Sequence, residues 1–101
     1  MKKRFWKLSL CGIVLVLLLF TACSSKAAKA VEKVELGQKY LTELNYTEAV
    51  ASFTEAIDLD PENIPAYMGR AEAYVGLKQY DDAKADYTTA IEKTDEMPYT
   101  Q

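Results

Sequence analysis

Few side chains in this sequence could do chemistry, and their spacing argues against catalysis. The 101 residues contain no histidine, which removes the commonest general base and the commonest metal ligand at neutral pH. Serines and threonines are present, but without such a base their hydroxyls lack the usual activation. Acids alternate at Asp58, Asp60 and Glu62, like the start of a calcium loop. That loop also needs a glycine at its sixth position and a bidentate acid at its twelfth, and Asn63 and Gly69 stand there. These acids therefore read as a solvated helix end and turn. Asp81 and Asp82 point about 100° apart on a helix and read as helix-start charges. Gly12, Gly37, Gly69 and Gly76 are too scattered to form a phosphate loop. No catalytic residue, metal site or cofactor is expected. The remaining reactive atoms are the thiols of Cys11 and Cys23. Both lie in or next to an apolar N-terminal run, so neither suits a disulfide framework in the folded part.

The surroundings of Cys23 are organised by charge and hydropathy. Lys2, Lys3, Arg4 and Lys7 precede it without any acid. From Cys23 onward, eight Lys or Arg face fifteen Asp or Glu, a net charge of about −7. An acidic module is a poor nucleic-acid ligand, because displacing counterions from phosphates takes clustered Lys and Arg. Leu8 to Phe20, LSLCGIVLVLLLF, is an apolar run of signal-peptide length. It is shorter than the roughly 20 residues of a spanning helix. Thr21 and Ala22 are small. An uncleaved signal anchor is the other reading, and the basic start leaves the C-terminal part outside in either case. Phe20-Thr21-Ala22-Cys23 resembles the lipobox of bacterial lipoprotein precursors, with Phe20 where leucine is commonest. The resemblance implies cleavage between Ala22 and Cys23 and a diacylglyceryl group on the Cys23 thiol. The mature protein would then be lipid-anchored to the extracytoplasmic face of the cell membrane. Two acyl chains give stable anchoring where one is marginal.

Beyond Cys23 the apolar residues fall at helical spacing. Ala49, Val50, Phe53, Ala56 and Ile57 make one helical face, and the stretch has an echo 34 residues later. The identities at that shift are Tyr40/Tyr74, Tyr46/Tyr80, Ala49/Ala83, Ala51/Ala85, Thr54/Thr88, Ala56/Ala90 and Ile57/Ile91, with Phe53/Tyr87 conservative. A period of this length marks a repeat array. Four helices are expected. The first runs from about Ala27 to Leu44 with Leu36, Tyr40 and Leu44 on its packing face. The second covers Thr47 to Leu59, with Thr47 as N-cap. The third ends near Leu77, capped by Asn63 with Pro65 in its first turn. The fourth runs from about Asp81 to Lys93. Ser24-Ser25-Lys26 reads as a short linker.

Both units resemble the tetratricopeptide repeat. Leu36, Gly37, Tyr40, Ala49, Phe53, Ala56 and Pro61 carry the motif in the first unit. Tyr67, Ala71, Tyr74, Ala83, Tyr87 and Ala90 carry it in the second, while Lys33 and Asp95 depart from it. The resemblance implies an all-α fold: two helix-turn-helix repeats in a short right-handed solenoid, preceded by the signal and lipid-anchor segment. The expected division is 1–22 signal peptide, 23–29 lipidated N-terminus and linker, 30–97 repeats (30–63 and 64–97) and 98–101 tail. Small residues let paired helices approach, and Tyr40, Tyr46, Tyr74, Tyr80 and Tyr87 are expected in the packing between them. Val50 and Leu59 become Lys84 and Lys93 in the second unit, which reads as a solvated end of the stack.

In this family the first helices of the repeats line a groove for peptide segments. Carried over, the groove residues are Val34, Gln38, Leu41, Met68, Glu72 and Val75. A basic clamp of the kind that grips chaperone C-termini is not expected, since Val34, Gln38, Met68 and Glu72 stand in its place. The expected role is a membrane-anchored protein-interaction module, a scaffold or adaptor, with a protein or peptide partner in the cell envelope. The other reading is a self-associating structural protein, a homo-oligomer, or a remnant of a longer repeat protein.

Overall fold

The computed structural model describes residues 25–96. Four helices occupy them, and no strand occurs among the described residues: α1 over 25–42, α2 Tyr46–Leu59, α3 Ile64–Gly76 and α4 Tyr80–Asp95. Residues 25 and 26 are helical, where an extended linker was expected. Strong helix formers such as Ala27 and Ala28 follow directly and carry the helix back through them.

The two hairpin turns are copies of one another at the 34-residue shift. In the first, the Asn45 N–H donates to the Tyr40 carbonyl at 2.8 Å and the Leu44 N–H to the Leu41 carbonyl at 3.0 Å. In the second, Gln79 donates to Tyr74 at 2.8 Å and Lys78 to Val75 at 3.0 Å. Both are Schellman closures, and their left-handed residues are Leu44 (φ 59) and Lys78 (φ 63). Leu44 is therefore a turn residue, 70 % exposed, and not part of a packing face. The same closure starts α2 at Tyr46. Thr47 lies inside the helix rather than capping it, and Asn45, at the cap position, makes no side-chain capping bond. Asn63 does cap α3, its Oδ1 accepting the Ala66 N–H at 3.1 Å. Between the units, Asp60 Oδ1 accepts the Glu62 N–H at 3.1 Å, and the Tyr67 hydroxyl donates to the Pro61 carbonyl at 2.8 Å. Asp60 and Glu62 thus belong to a turn, and Asp58 to the last turn of α2.

Phe53 sets the packing. It is fully buried between two glycines on different helices. A Cβ at Gly37 would lie 2.7 Å from its ring, and one at Gly69 would lie 2.3 Å away. Contacts that short are not tolerated, so only bare backbone lets α1 and α3 close on this ring. Val34, Ala49, Ala56, Ala66 and Ala73 complete the core. The buried face of α1 is accordingly Ala30, Val34 and Gly37, with Tyr40 and Leu41 packed against it in part; of the expected Leu36–Tyr40–Leu44 row only Tyr40 takes part. The reason is that the closest approach is set by the residue without a side chain, and large residues at other angles are carried outward. Leu36 is 36 % exposed.

Candidate functional site

Because α1 and α3 both lean on Phe53, their remaining faces flank one depression. It measures about 300 Å³ and is lined by Gln38 and Leu41 of α1, Pro65, Met68, Gly69 and Glu72 of α3, and Tyr87 of α4. Four of the six residues assigned to a groove come together here: Gln38, Leu41, Met68 and Glu72. Val34 does not belong with them. It is 7 % exposed and sits in the core cluster, because the second unit roofs it over. Val75 is 42 % exposed but does not line the depression. Tyr87 was expected in the core by analogy with Phe53, yet it is 38 % exposed and forms part of the lining, and Tyr80 is 62 % exposed. Tyr40, Tyr46 and Tyr74 are half-buried as expected. Glu72 is the one ionisable carboxylate on a mostly apolar lining. Such a surface can hold an apolar segment and orient a cation, and it offers no nucleophile–base pair.

A second feature was not anticipated from sequence. Arg70 Nε donates to Asp86 Oδ2 at 2.7 Å, Nη2 to Asp86 Oδ1 at 2.8 Å, and Nη1 to Thr54 Oγ1 at 3.2 Å. The guanidinium also lies 5.9 Å from the Tyr67 ring centroid and 6.0 Å from that of Tyr74. Asp86 is buried at 6 % exposure, and hydrogen bonding to it raises the Arg70 pKa. Three helices (α2, α3 and α4) are thus pinned by one planar cation, whose fork matches the carboxylate bidentately. The signal was present in the repeat comparison: Leu36 becomes Arg70 and Ser52 becomes Asp86, so the two positions gain opposite charges together.

Lys93 is not a solvated end marker. Its Nζ donates to Glu62 at 3.0 Å and lies 5.8 Å from the Tyr67 ring centroid, with its side chain only 19 % exposed. It ties the end of α4 back to the turn between the units. Glu62 raises its pKa above the usual 10.5. Lys84 is exposed as expected. Ala22 and Cys23, the expected cleavage and lipidation positions, lie outside the described residues. No helix among the described residues is long and apolar enough to cross a membrane.

Comparison with known proteins agrees with this geometry. A family model described as tetratricopeptide repeat matches residues 40–96. The chain belongs to the tetratricopeptide repeat family, a class of protein-interaction modules, and the helical hairpins above are its repeats. Among similar proteins is human "Small glutamine-rich tetratricopeptide repeat-containing protein beta", 38 % identical over 71 residues, which cover 70 % of this chain and 23 % of that protein. Rat "RNA polymerase II-associated protein 3" is 38 % identical over 63 residues, covering 62 % of this chain and 10 % of the relative. "Protein STIP1 homolog" of Dictyostelium discoideum is 36 % identical over 69 residues, covering 68 % and 12 %. The match therefore spans a quarter or less of each of these relatives. No solved structure matches.

Proposed function

We propose that this protein is a membrane-tethered adaptor that holds a peptide segment of another protein in the groove between α1 and α3. The observation that carries the reading is the convergence of Gln38, Leu41, Met68 and Glu72 on one depression. Its apolar floor suits an apolar peptide, and Glu72 favours a basic residue in that peptide, in keeping with segments held by side-chain pockets along a groove. No residue pair in the groove supports catalysis, so the role is binding. The tether is the lipobox-like Phe20-Thr21-Ala22-Cys23, with a diacylglyceryl group on Cys23 at the extracytoplasmic face of a bacterial membrane. With α1 helical from residue 25, the repeats would stand directly on the bilayer. Tethering would raise the local concentration of groove and partner without any new contact.

The test is a pull-down of the full-length chain from membranes, with wild type compared against Gln38→Arg/Glu72→Lys. Both positions are exposed, so the fold is kept. Loss of specific partners from the double variant is the expected result, and an unchanged set of partners sinks the groove. Mass spectrometry of the mature N-terminus tests the anchor independently: a mature chain without a lipid adduct on Cys23 removes the tether.

A further inference from the structure

The depression between α1 and α3 carries an acid that no described residue neutralises. Three ion pairs form among the described residues, Lys33–Glu55, Arg70–Asp86 and Lys93–Glu62. The carboxylate of Glu72 takes part in none of them and makes no hydrogen bond among the described residues. No Lys or Arg lines the depression. On α1, Lys26 and Lys29 share the side of Lys33, which is turned to Glu55 of α2. Lys39 stands about 100° round the helix from Gln38. Glu35, one turn before Gln38 and exposed, adds a second negative charge beside the groove.

The fold itself shows what such an acid holds. Arg70 is bound by Asp86 with its guanidinium 5.9 Å from the centroid of the Tyr67 ring. Lys93 is bound by Glu62 with its ammonium 5.8 Å from the same centroid. In both cases a carboxylate and a tyrosine ring share one cation. The depression offers the same two groups, Glu72 and Tyr87, and no described residue supplies the cation.

The remaining lining decides how that cation arrives. Leu41, Pro65 and Met68 make an apolar floor that ends in one carboxylate. Lys and Arg match this arrangement, because a long methylene stem carries the charge at its tip. The stem can lie on Leu41 and Met68 while the head reaches Glu72 and the amide oxygen of Gln38. A purely apolar side chain would strip water from Glu72 without replacing its hydrogen bonds, which costs free energy. An acid, or the free carboxylate at the end of a chain, would be repelled by Glu72 and Glu35. The depression measures about 300 Å³, at the lower end of the roughly 300–1,000 Å³ of small-ligand sites. It therefore has room for side chains and not for a whole helix.

We propose, resting on the reading of this groove as a peptide site, that the depression is a socket for one lysine or arginine side chain from an internal segment of a partner protein. Glu72 sets the specificity, and segments that place an acid or a chain terminus there are rejected.

The probe is a library of end-blocked peptides with leucine, arginine, glutamine or glutamate at each position, selected on the full-length chain in micelles. The wild type should enrich arginine and deplete glutamate. Glu72→Gln should abolish the charge preference and Glu72→Lys should reverse it. Glu72 is exposed, and a far-UV spectrum confirms that each variant is folded. The best arginine peptide, titrated into isotope-labelled chain, should shift the NMR signals of Leu41, Met68 and Tyr87. Changing its arginine to glutamine should weaken binding about fivefold, and to glutamate about twentyfold, as for a partly screened ion pair. Both differences should shrink at high salt. Peptides that bind at Leu41 and Met68 without a charge preference, or with one that residue 72 does not alter, overturn the socket and leave the groove as a peptide site. No peptide bound by the wild type overturns the socket, and with an unchanged set of partners in the pull-down the groove falls too. Shifts at these residues without peptide, on concentrating the chain or on replacing Lys2, Lys3, Arg4 and Lys7 by serine, would assign the socket to a second copy or to the chain's own N-terminal segment, and overturn the proposal as well.

Discussion

Replacing Arg70 and Asp86 by their first-unit counterparts, Leu and Ser, separates the cost of an ion pair from its value. The pair is close to dry, with side chains 19 % and 8 % exposed. Removing one member of a buried pair typically costs about 3–5 kcal/mol, because the other is left uncompensated. Arg70→Leu strips the buried Asp86 carboxylate of both its guanidinium bonds, so a loss of about 3 kcal/mol is expected. Asp86→Ser should cost less, about 2 kcal/mol. The guanidinium keeps Thr54, the two tyrosine faces and some water, and serine still accepts a hydrogen bond. The double variant places there the residues that the first unit has at the same repeat positions, Leu36 and Ser52. It should lose only about 2 kcal/mol, which gives a coupling energy of about 3 kcal/mol, at the upper end for contacting residues. Domains of this size are stable by roughly 4–11 kcal/mol, so either single variant removes a large share of the total. Urea unfolding of the full-length chain, followed by far-UV circular dichroism, measures all four corners of the cycle. Additive losses, with the double variant near 5 kcal/mol, would refute the claim that the two residues act as one unit.

Three further outcomes are expected. Gly69→Ala and Gly37→Ala should each destabilise by about 1–3 kcal/mol through overpacking. Gly69→Ala should be the worse, since its Cβ would come nearer the Phe53 ring (2.3 against 2.7 Å); equal midpoints would show that the ring can move aside. Lys78→Gly should stabilise by about 1 kcal/mol, because the residue is exposed and holds φ 63, a conformation that costs other residues but not glycine; a lower melting temperature would contradict this. The Lys93–Glu62 contact should make stability pH-dependent on the alkaline side. A lysine pKa raised in the folded state contributes fully below about 10.5 and is lost as pH climbs through the folded value. Lys93→Met should flatten that part of the stability profile, and an unaltered alkaline slope would count against the contact.

The helices and their repeat were legible in the sequence because they rest on local rules. Asn63 caps α3 as its position suggests, and Pro65 sits where its missing N–H costs nothing. The turn at Asp60-Pro61 falls where proline ends a helix. The lining of the depression was legible in part: Gln38, Leu41, Met68 and Glu72 follow from one helix face carried over from the repeat. Val34 was misplaced because burial by a neighbouring unit does not depend on the helix that bears the residue. Leu36 and Leu44 lie outside the core because bare backbone at Gly37 fixes the closest approach and Leu44 takes the left-handed turn position, neither of which apolar spacing shows. Tyr80 and Tyr87 were expected to be covered because their counterparts Tyr46 and Phe53 are, and only the tertiary arrangement shows that no helix among the described residues covers them.

The sequence by itself determined the period and the number of helices among the described residues. Each of these depends on composition or on spacing along the chain. The tertiary structure decided which residues share a surface. It placed Phe53 between Gly37 and Gly69, brought Arg70 to Asp86 and Thr54, folded Lys93 back onto Glu62, and left Tyr87 and Ile91 open. These relations join residues on different helices. Their physical cause is close packing around one ring and the pairing of buried charge, which sequence spacing along a single helix does not encode.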